Sequence, residues 1–362
     1  MVTPACPPRV SVVMSVRDGE AFVAAALTSI LRQTMTDFEC VVIDDGSSDG
    51  TPALLERAAS QDARLRLVRR EGGGGLVAAL NHGCSLARAP LIARMDADDV
   101  ALPDRLARQL ERLARQPSLV VLGAAAIFVD AQDRPLPADP TPMGPRTLAQ
   151  ALERGDCPLI HPTVVMRRAA FEAVGGYRAC IAHAEDYDLW LRLAERGELD
   201  NLTEPVLRYR RHPQQVSIRH YAEQAVSNLA ARASARLRRS GLPDPLDGVA
   251  RLDDAMLDRL GLDAAVRAAA VARATLTSVR SLADAGEVAR AQQLLQSLHE
   301  TSRAQALSPA LRTDLRLERA RLQWLQGRPL SAAGAFAQAL LGRPRTVLRP
   351  LKPWLGRAPH ST

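Results

Sequence analysis

Shortly before residue 100 the chain reads Leu91-Ile92-Ala93-Arg94-Met95-Asp96-Ala97-Asp98-Asp99. The apolar first half is typical of a buried strand, and three carboxylates follow it within four residues. Carboxylates this close repel one another unless a cation or a set of hydrogen-bond donors lies between them. The stretch therefore predicts a polar site at the end of a strand.

The residues before this stretch alternate between apolar strands and amphipathic helices. Val10–Ser15 and Phe38–Ile43 are short, apolar and rich in β-branched side chains, and Leu65–Val68 is a shorter example. Apolar residues at helical spacing separate each of these segments from the next. This alternation predicts an α/β fold with a mainly parallel sheet and helices on both of its faces.

Polar residues follow three of the predicted strands. Ser15 ends the first, Asp44 and Asp45 end the second, and the Asp96–Asp99 cluster ends the fourth. Open parallel sheets bind ligands beyond the carboxyl ends of their strands. We therefore expect these three groups of polar residues to meet at one edge of the sheet.

The pattern is less regular between residues 119 and 213. Leu119–Gly123 and His161–Met166 are predicted as strands, and five prolines between residues 130 and 145 predict an exposed loop. Glu185 and Asp186 begin a predicted helix, and residues 206–213 close the region.

After residue 220 the sequence is rich in Ala, Leu and Arg, and strand patterns end. The prediction is a sheet domain over residues 1–220 followed by an all-α domain over residues 221–362. Residues 317–340 resemble a helix–turn–helix pair of the tetratricopeptide kind, although one pair alone is weak support because such repeats need neighbours. Gly241–Pro245 is expected to separate the first helix from the rest.

The formal charge of +7 is unevenly distributed. Residues 221–362 hold 21 Lys and Arg against 12 Asp and Glu, whereas the first 220 residues carry a slight excess of acid. The last 22 residues contain four Arg, one Lys, Trp354 and no acid. They fit peripheral contact with an anionic membrane or an unstructured tail equally well.

Five widely spaced cysteines without a CxxC pair are typical of reduced thiols in a cytosolic protein. Nothing in the sequence predicts a signal peptide or a membrane-spanning segment. The expected location is therefore cytoplasmic. The basic tail also allows peripheral contact with the inner face of the membrane.

Six segments in this order resemble the family 2 glycosyltransferases, which are inverting enzymes with the GT-A fold, a Rossmann-like sheet domain. The resemblance spans the first ~220 residues, and its segments are Val12–Ser15, Ser29–Thr34, Val41–Thr51, Gly75–Gly83, Met95–Asp99 and Glu185–Arg192. The Val41–Thr51 segment is the most specific of them. The chain lacks the Gln-x-x-Arg-Trp motif of processive membrane polymerases.

The resemblance implies transfer of a sugar from a nucleotide-diphosphate sugar, a UDP-sugar above all, to an acceptor hydroxyl. Asp98 would hold Mg²⁺ or Mn²⁺, and Asp96 would reach the ribose or the metal. Asp45 would accept a hydrogen bond from the base, with Ser15 and Val16 lining its pocket. Asp99 and Asp44 are expected to stabilise turns instead.

The acceptor side of the implied site is expected in the later motif. Asp186 would be the general base and Glu185 would orient a saccharide or lipid-linked acceptor, as in surface-polysaccharide or glycolipid synthesis. Both acids also suit the positive end of a helix, which would lower the pKa of the base. His212 would touch the metal or the diphosphate, and His161 is a weaker candidate for the same role.

Two alternatives stay open on the sequence. A sugar nucleotidyltransferase shares such a sheet, but Val16-Arg17-Asp18-Gly19 is a poor version of the glycine-rich basic loop that it needs. An inactive adaptor that binds partners through the helical domain would not need acids at positions 45, 96, 98 and 186. No feature predicts nucleic-acid binding, because a high Arg content alone is weak support for it.

Overall fold

The protein is described by a computed structural model that covers residues 7–137, 140–211, 220–284, 286–300 and 307–342. Contacts group the chain into two compact units. The first takes Met1–Gln215 and Ser234–Arg251, and the second takes Val216–Ala233 and Leu252–Thr362. The predicted domain boundary at residue 220 stays a prediction.

The first unit is built on an eight-stranded mixed sheet. Its strands are β1 Val10–Val16, β2 Phe38–Asp44, β3 Leu65–Arg69, β4 Leu91–Asp96, β5 Val100–Ala101, β6 Leu119–Val129, β7 Val165–Arg167 and β8 Glu198–Arg210. They lie in the order β3-β2-β1-β4-β7-β6-β8-β5. The first four are mutually parallel, as predicted, whereas β7 is antiparallel to both β4 and β6.

Helices cover both faces of the parallel strands. Those of the first unit before residue 200 are α1 Val23–Leu31, α2 Thr51–Gln61, α3 Leu76–Ser85, α4 Arg105–Arg115, α5 Pro145–Arg154, α6 Arg168–Ala173 and α7 Glu185–Leu193. Val12 and Val42 belong to the core that includes α1, α2 and α4. Val41 and Ile43, which point to the other face, pack against Ala79 of α3.

The strand register brings the predicted polar groups to one edge of the sheet. Ser15 on β1 pairs with Asp96 at the end of β4, and Val16 pairs with Asp44 at the end of β2. The convergence predicted from the sequence is therefore present, because parallel strands of similar length end together.

Long-range contacts determine three local features. Gly50 is the N-cap residue of α2, and the Thr51 hydroxyl accepts a hydrogen bond from the Gly19 amide over 2.8 Å. The segment predicted as one strand over His161–Met166 begins with a 3₁₀ turn, His161–Thr163, before β7. Strand β8 begins at Glu198, ahead of residues 206–213 that close the region in the sequence, because it pairs along nearly the whole of β6.

The described part of the chain after residue 220 is helical and contains no strand, as predicted. Its helices are α8 Tyr221–Arg239, α9 Asp254–Arg259, α10 Ala264–Asp284, α11 Val288–Glu300, α12 Pro309–Leu325 and α13 Pro329–Gly342. The predicted helix–turn–helix pair corresponds to α12 and α13. Helices α10, α11 and α12 share one apolar core, so this pair has a helical neighbour.

Among the described residues, no helix combines the length and the apolar character that crossing a bilayer requires.

Candidate active site

Three carboxylates gather at the carboxyl end of β4. One side-chain oxygen from each of Asp96, Asp98 and Asp99 lies within 4.8 Å of the other two. Asp99 is buried, and its Oδ1 accepts a hydrogen bond from the Arg210 amide on β8 over 2.8 Å. Asp99 therefore stabilises this turn through a long-range bond to β8 and not through a local one. The described residues offer no hydrogen-bond partner to Asp99 Oδ2.

The negative charge of this cluster is only partly compensated. Burial, together with the charges of Asp96 and Asp98, raises the pKa of Asp99 well above its ordinary value. Burial also raises the pKa of Asp96, although the positive charge of Arg94 offsets part of that shift. The cluster offers three carboxylates, and the buried Asp99 Oδ2 has no hydrogen-bond partner among the described residues. These oxygens suit a hard divalent cation such as Mg²⁺ or Mn²⁺.

Arg94 is the buried cation of the site, and the sequence analysis gave it no role. It forms an ion pair with Asp96, and its Nε has no hydrogen-bond partner among the described residues. Burial alone would lower the pKa of Arg94, but Asp96 more than offsets this and the net pKa is raised. The available signal was a charged residue inside the otherwise apolar strand β4, where an unpaired charge would be costly.

Asp45, the predicted base-binding residue, lies inside the glycine-rich loop that precedes α3. Its Oδ1 accepts hydrogen bonds from Arg70 Nη1 and the Gly74 amide, both over 2.9 Å. Its Oδ2 accepts one from the Gly75 amide over 2.8 Å. A carboxylate has about four acceptor positions, so Asp45 can still receive one further donor.

The backbone conformation of the glycine-rich loop requires glycine at two positions. A Cβ on Gly74 would lie 2.2 Å from Arg70 Nη2, and Gly75 has a φ of +81°. Glycine therefore lets this backbone wrap around the Asp45 carboxylate. Arg70, which follows β3 directly, is a second residue that the sequence analysis missed.

The neighbouring predicted residues support this pocket. Asp44 Oδ1 accepts a hydrogen bond from the Ser47 amide over 3.0 Å, which confirms its role in the turn. The Val16 carbonyl accepts one from the Asp45 amide over 2.9 Å, while Ser15 is half-buried beside Asp96. Ser15 and Val16 thus lie at the strand ends next to Asp45.

Glu185 and Asp186 begin helix α7, as predicted, but their electrostatics differ from the prediction. Burial raises the pKa of Glu185 to about 7, with a further contribution from Asp186. Burial also raises the pKa of Asp186, although the Tyr187 amide, which donates to its Oδ1 over 2.7 Å, opposes the shift. The helix N-terminus was expected to lower that pKa, but desolvation is the larger effect.

The acids of α7 and those of β4 act on one another. The charge of Arg94 lowers the pKa of both Glu185 and Asp186, and the charge of Asp96 raises that of Glu185. Arg94 therefore pairs with Asp96 and influences the acids of α7 through its charge. The thiol of Cys157 lies 3.8 Å from Asp186 Oδ2 and is the exposed member of the four described cysteines.

Hydrogen bonds hold Tyr177, whose pKa is raised by burial and, in part, by the charges of the Glu185–Asp186 pair. Asn81 holds its backbone at both ends, accepting from the Tyr177 amide over 2.9 Å and donating to its carbonyl over 2.8 Å. The Tyr177 hydroxyl lies 2.8 Å from His161 Nε2. Burial and the charge of Arg94 lower the pKa of His161 well below its usual range, so this histidine is neutral and holds the tyrosine.

The predicted role of His212 lies outside the described residues. The residue that reaches the acid cluster from this segment is Arg210, at the end of β8. Its amide donates to Asp99, as noted, and its Nε donates to the Asp98 carbonyl over 3.0 Å. Arg210 also lies with its guanidinium 4.8 Å from the centre of the Phe22 ring. It stabilises the turn that carries the acids.

Comparison with known proteins gives a consistent match. The model of the family described as "Glycosyl transferase family 2" matches residues 11–175. The O-antigen biosynthesis glycosyltransferase WbnJ of Escherichia coli is 31% identical over 207 residues, which are 56% of this chain and 80% of WbnJ. EpsE of Bacillus subtilis (strain 168), to which a glycosyltransferase function is ascribed, is 34% identical over 52% of this chain and 68% of its own. The chain belongs to glycosyl transferase family 2.

The family assignment agrees with the fold. The crystal structure of S. aureus TarS 1-349 covers 93% of this chain and 92% of its own at a TM-score of 0.54 and 16% identity. A structure of the same protein in complex with UDP-GlcNAc matches at a TM-score of 0.52. The predicted GT-A sheet domain followed by a helical C-terminal region is confirmed.

Several relatives of this family 2 chain take part in polysaccharide synthesis by name. Besides WbnJ, they include the succinoglycan biosynthesis protein ExoU of Rhizobium meliloti (strain 1021), 30% identical over 54% of this chain and 60% of its own. The roles of the individual site residues rest on the geometry described above.

Proposed function

We propose that the chain is an inverting glycosyltransferase that moves a sugar from a nucleotide-diphosphate sugar, with a UDP-sugar favoured, to an acceptor hydroxyl. The observation that carries this proposal is a cluster of three carboxylates, Asp96, Asp98 and Asp99, whose partner Arg94 also influences a second acid group, Glu185–Asp186 on α7, through its charge. One group suits a leaving diphosphate with its cation, and the other suits an acceptor.

The donor side uses residues at the ends of β1, β2 and β4. Asp45 keeps one acceptor position for a ring N–H, which uracil and thymine provide, and Ser15 and Val16 line the same pocket. The complex of the similarly folded TarS with UDP-GlcNAc supports a UDP-sugar. Asp98 and Asp99, with Asp96 beside them, would hold the divalent cation, which when bound would neutralise charge on the leaving diphosphate.

The acceptor side provides the base. Asp186 takes the proton of the acceptor hydroxyl. At the same time the oxygen of that hydroxyl bonds to the anomeric carbon, and the bond from this carbon to the diphosphate oxygen breaks. Attack from the side opposite the leaving group inverts the configuration. Burial makes Asp186 a stronger base than an exposed aspartate, because its raised pKa lies closer to neutral pH. Glu185 would orient the acceptor.

The acceptor class follows from the relatives. Names such as that of WbnJ support a saccharide or lipid-linked acceptor in bacterial surface-polysaccharide or glycolipid synthesis. The inactive-adaptor alternative is disfavoured because Asp45, Asp96, Asp98 and Asp186 all lie at the sheet edge or the adjoining helix. The cytoplasmic location stays a prediction.

A nucleotide-sugar panel tests the proposed reaction. With Mn²⁺ present, the wild type should turn over one class of donor, and Asp98→Ala should lose the metal-dependent part of that turnover. Asp186→Ala should keep donor binding and lose transfer by roughly 100-fold or more, since it lacks the base. Asp104→Ala removes an acid that pairs with Arg108 on helix α4; it is the matched control and should behave like the wild type. If Asp98→Ala and Asp186→Ala both turn over donor at the wild-type rate, the residue assignment is wrong.

A further inference from the structure

The turn between α12 and α13 exposes three large apolar side chains. Trp324 is 51% exposed, Leu325 42% and Leu330 89%. Among the described residues only four other large apolar side chains are exposed, and they are scattered along the chain: Leu76, Met143, Leu242 and Val266. We call Trp324–Leu330 the hairpin tip. Clustered apolar side chains of this kind mark binding surfaces more often than single ones do.

The exposed side chains of the hairpin tip lie outside the core shared by helices α10, α11 and α12. Helix α12 packs into the shared helical core through Leu311, Leu315 and Leu322. The turn itself is held by backbone hydrogen bonds, from the Gly327 amide to the Trp324 carbonyl over 2.9 Å and from the Arg328 amide to the Gln323 carbonyl over 3.0 Å. The tip is therefore a well-defined turn that presents apolar groups to its surroundings.

The sequence of the hairpin tip and of the residues after it is basic, although Arg321 just before the tip pairs with the exposed Asp284 of α10. From Arg319 to the last residue the sequence contains seven Arg, one Lys and no Asp or Glu. Arg328 lies within the tip itself. The last acid before this segment, Glu318, is buried and paired with Arg280 and Arg321. The complementary surface is therefore anionic as well as apolar.

We propose that the hairpin tip inserts into the headgroup region of an anionic lipid bilayer. Tryptophan prefers the membrane–water interface, where its ring lies among headgroups and apolar chains. Arg328 would bind anionic lipid headgroups, and the leucines would enter the acyl boundary. This mode needs no membrane-spanning helix. It goes beyond the proposed reaction, since binding requires neither donor nor acceptor.

Sedimentation of the full-length protein with lipid vesicles tests this proposal. The wild type should bind vesicles made of equal parts phosphatidylglycerol and phosphatidylcholine and should not bind vesicles of phosphatidylcholine alone. The double variant Trp324→Ser/Leu330→Ser should lose about tenfold or more in partitioning. The matched control is Leu242→Ser/Val266→Ser, which removes two exposed apolar side chains elsewhere and should bind like the wild type.

Fluorescence provides a measurement that keeps the hairpin tip intact. In a Trp354→Phe background the remaining tryptophans are Trp324 and the buried Trp190. Anionic vesicles should shift the emission of Trp324 to shorter wavelength, because its ring leaves water.

Three results would each overturn the proposal. They are no binding of the wild type to anionic vesicles, wild-type binding by the tip variant, and an unshifted emission spectrum on vesicle addition. Light scattering tests whether the hairpin tip instead binds a second copy of this chain. A lower molar mass for the tip variant than for the wild type would show such self-association and would also overturn the proposal.

Discussion

Arg94 determines the electrostatics of the site at the scale of single residues. It lies within a strand whose neighbours are apolar, and it acts on acids from two separate parts of the chain, Asp96 and the Glu185–Asp186 pair. Fully buried Arg105 supports it by donating to the Arg94 carbonyl over 2.6 Å. The motif positions of the acids could be predicted from the sequence. Their shared cation could not, because it depends on which distant residues pack together.

Glu185 should make the stability of the free protein depend on pH. Its carboxyl pKa is raised by burial and by Asp186 from 4.5 to about 7, so folding favours the protonated form. The folded state therefore loses stability relative to the unfolded chain as the pH rises from about 4.5 to about 7. Glu185→Gln removes this loss and should be more stable than the wild type above pH 7, on the order of 1 to 3 kcal/mol.

Thermal unfolding between pH 4 and pH 8 measures this difference. The gap in melting temperature between Glu185→Gln and the wild type should widen as the pH rises. Glu172→Gln alters an exposed acid and should give a gap that does not change with pH. A Glu185→Gln variant that is less stable than the wild type at pH 8 would contradict the assignment of a desolvated carboxylate.

Among the secondary-structure elements, the strands of the mixed part of the sheet are the hardest to predict from the sequence. Strands β1 to β4 could be predicted because each is a compact apolar run followed by a helix. Strand β5, only Val100–Ala101, and the early part of β8 carry no such pattern, and they exist because they pair with each other and with β6. Pairing of distant segments is a property of the fold, and local periodicity does not encode it.

Gly241–Pro245 likewise differs from the separator that the sequence predicts. Asp244 accepts hydrogen bonds from Arg178 Nη2 over 2.5 Å, Arg238 Nη1 over 2.8 Å and the Ser234 hydroxyl over 2.6 Å. Arg178 also faces Asp188 of α7, with 3.7 Å between Nη1 and Oδ1. This segment is therefore part of the first unit, and Arg178 links it to the helix that carries Asp186.

Asp244→Ala should destabilise the protein strongly. The variant leaves the largely buried guanidinium groups of Arg178 and Arg238 without this carboxylate, at a cost of about 3 kcal/mol or more. Burial raises the pKa of Asp244, but hydrogen bonds from Arg178 and Ser234 outweigh burial, so the net pKa is lowered. Its contribution is thus present at neutral pH and is lost as the pH falls through the acidic range.

Chemical denaturation at pH 7 and at acidic pH checks this prediction. Asp247→Ala is the matched control, because Asp247 contacts the same Arg178 from an exposed position, and its effect should stay below about 1 kcal/mol. Equal losses for the two variants at pH 7 would show that Asp244 is not the centre of this network.

At the scale of the whole molecule, the chain combines a family 2 sheet unit with a helical unit. The sequence predicts both because strand signals stop near residue 220. It does not predict that residues 234–251 belong with the sheet unit, since their attachment depends on Asp244 and its partners. The helical unit carries the exposed hairpin tip. Apolar spacing in the sequence does not show whether the side chains of this tip are exposed or belong to the core.

The proposed roles of the Asp96–Asp99 cluster and of Asp186 differ in their effect on donor binding: the cluster would bind the cation that the nucleotide donor needs, and Asp186 would act only on the acceptor. Calorimetric titration of UDP with and without Mn²⁺ measures this difference. The wild type and Asp186→Asn should both gain about tenfold or more in UDP affinity on addition of Mn²⁺, and Asp98→Asn should gain nothing. An Asp98→Asn variant with the full Mn²⁺-dependent gain in UDP affinity would show that the cluster does not bind this cation.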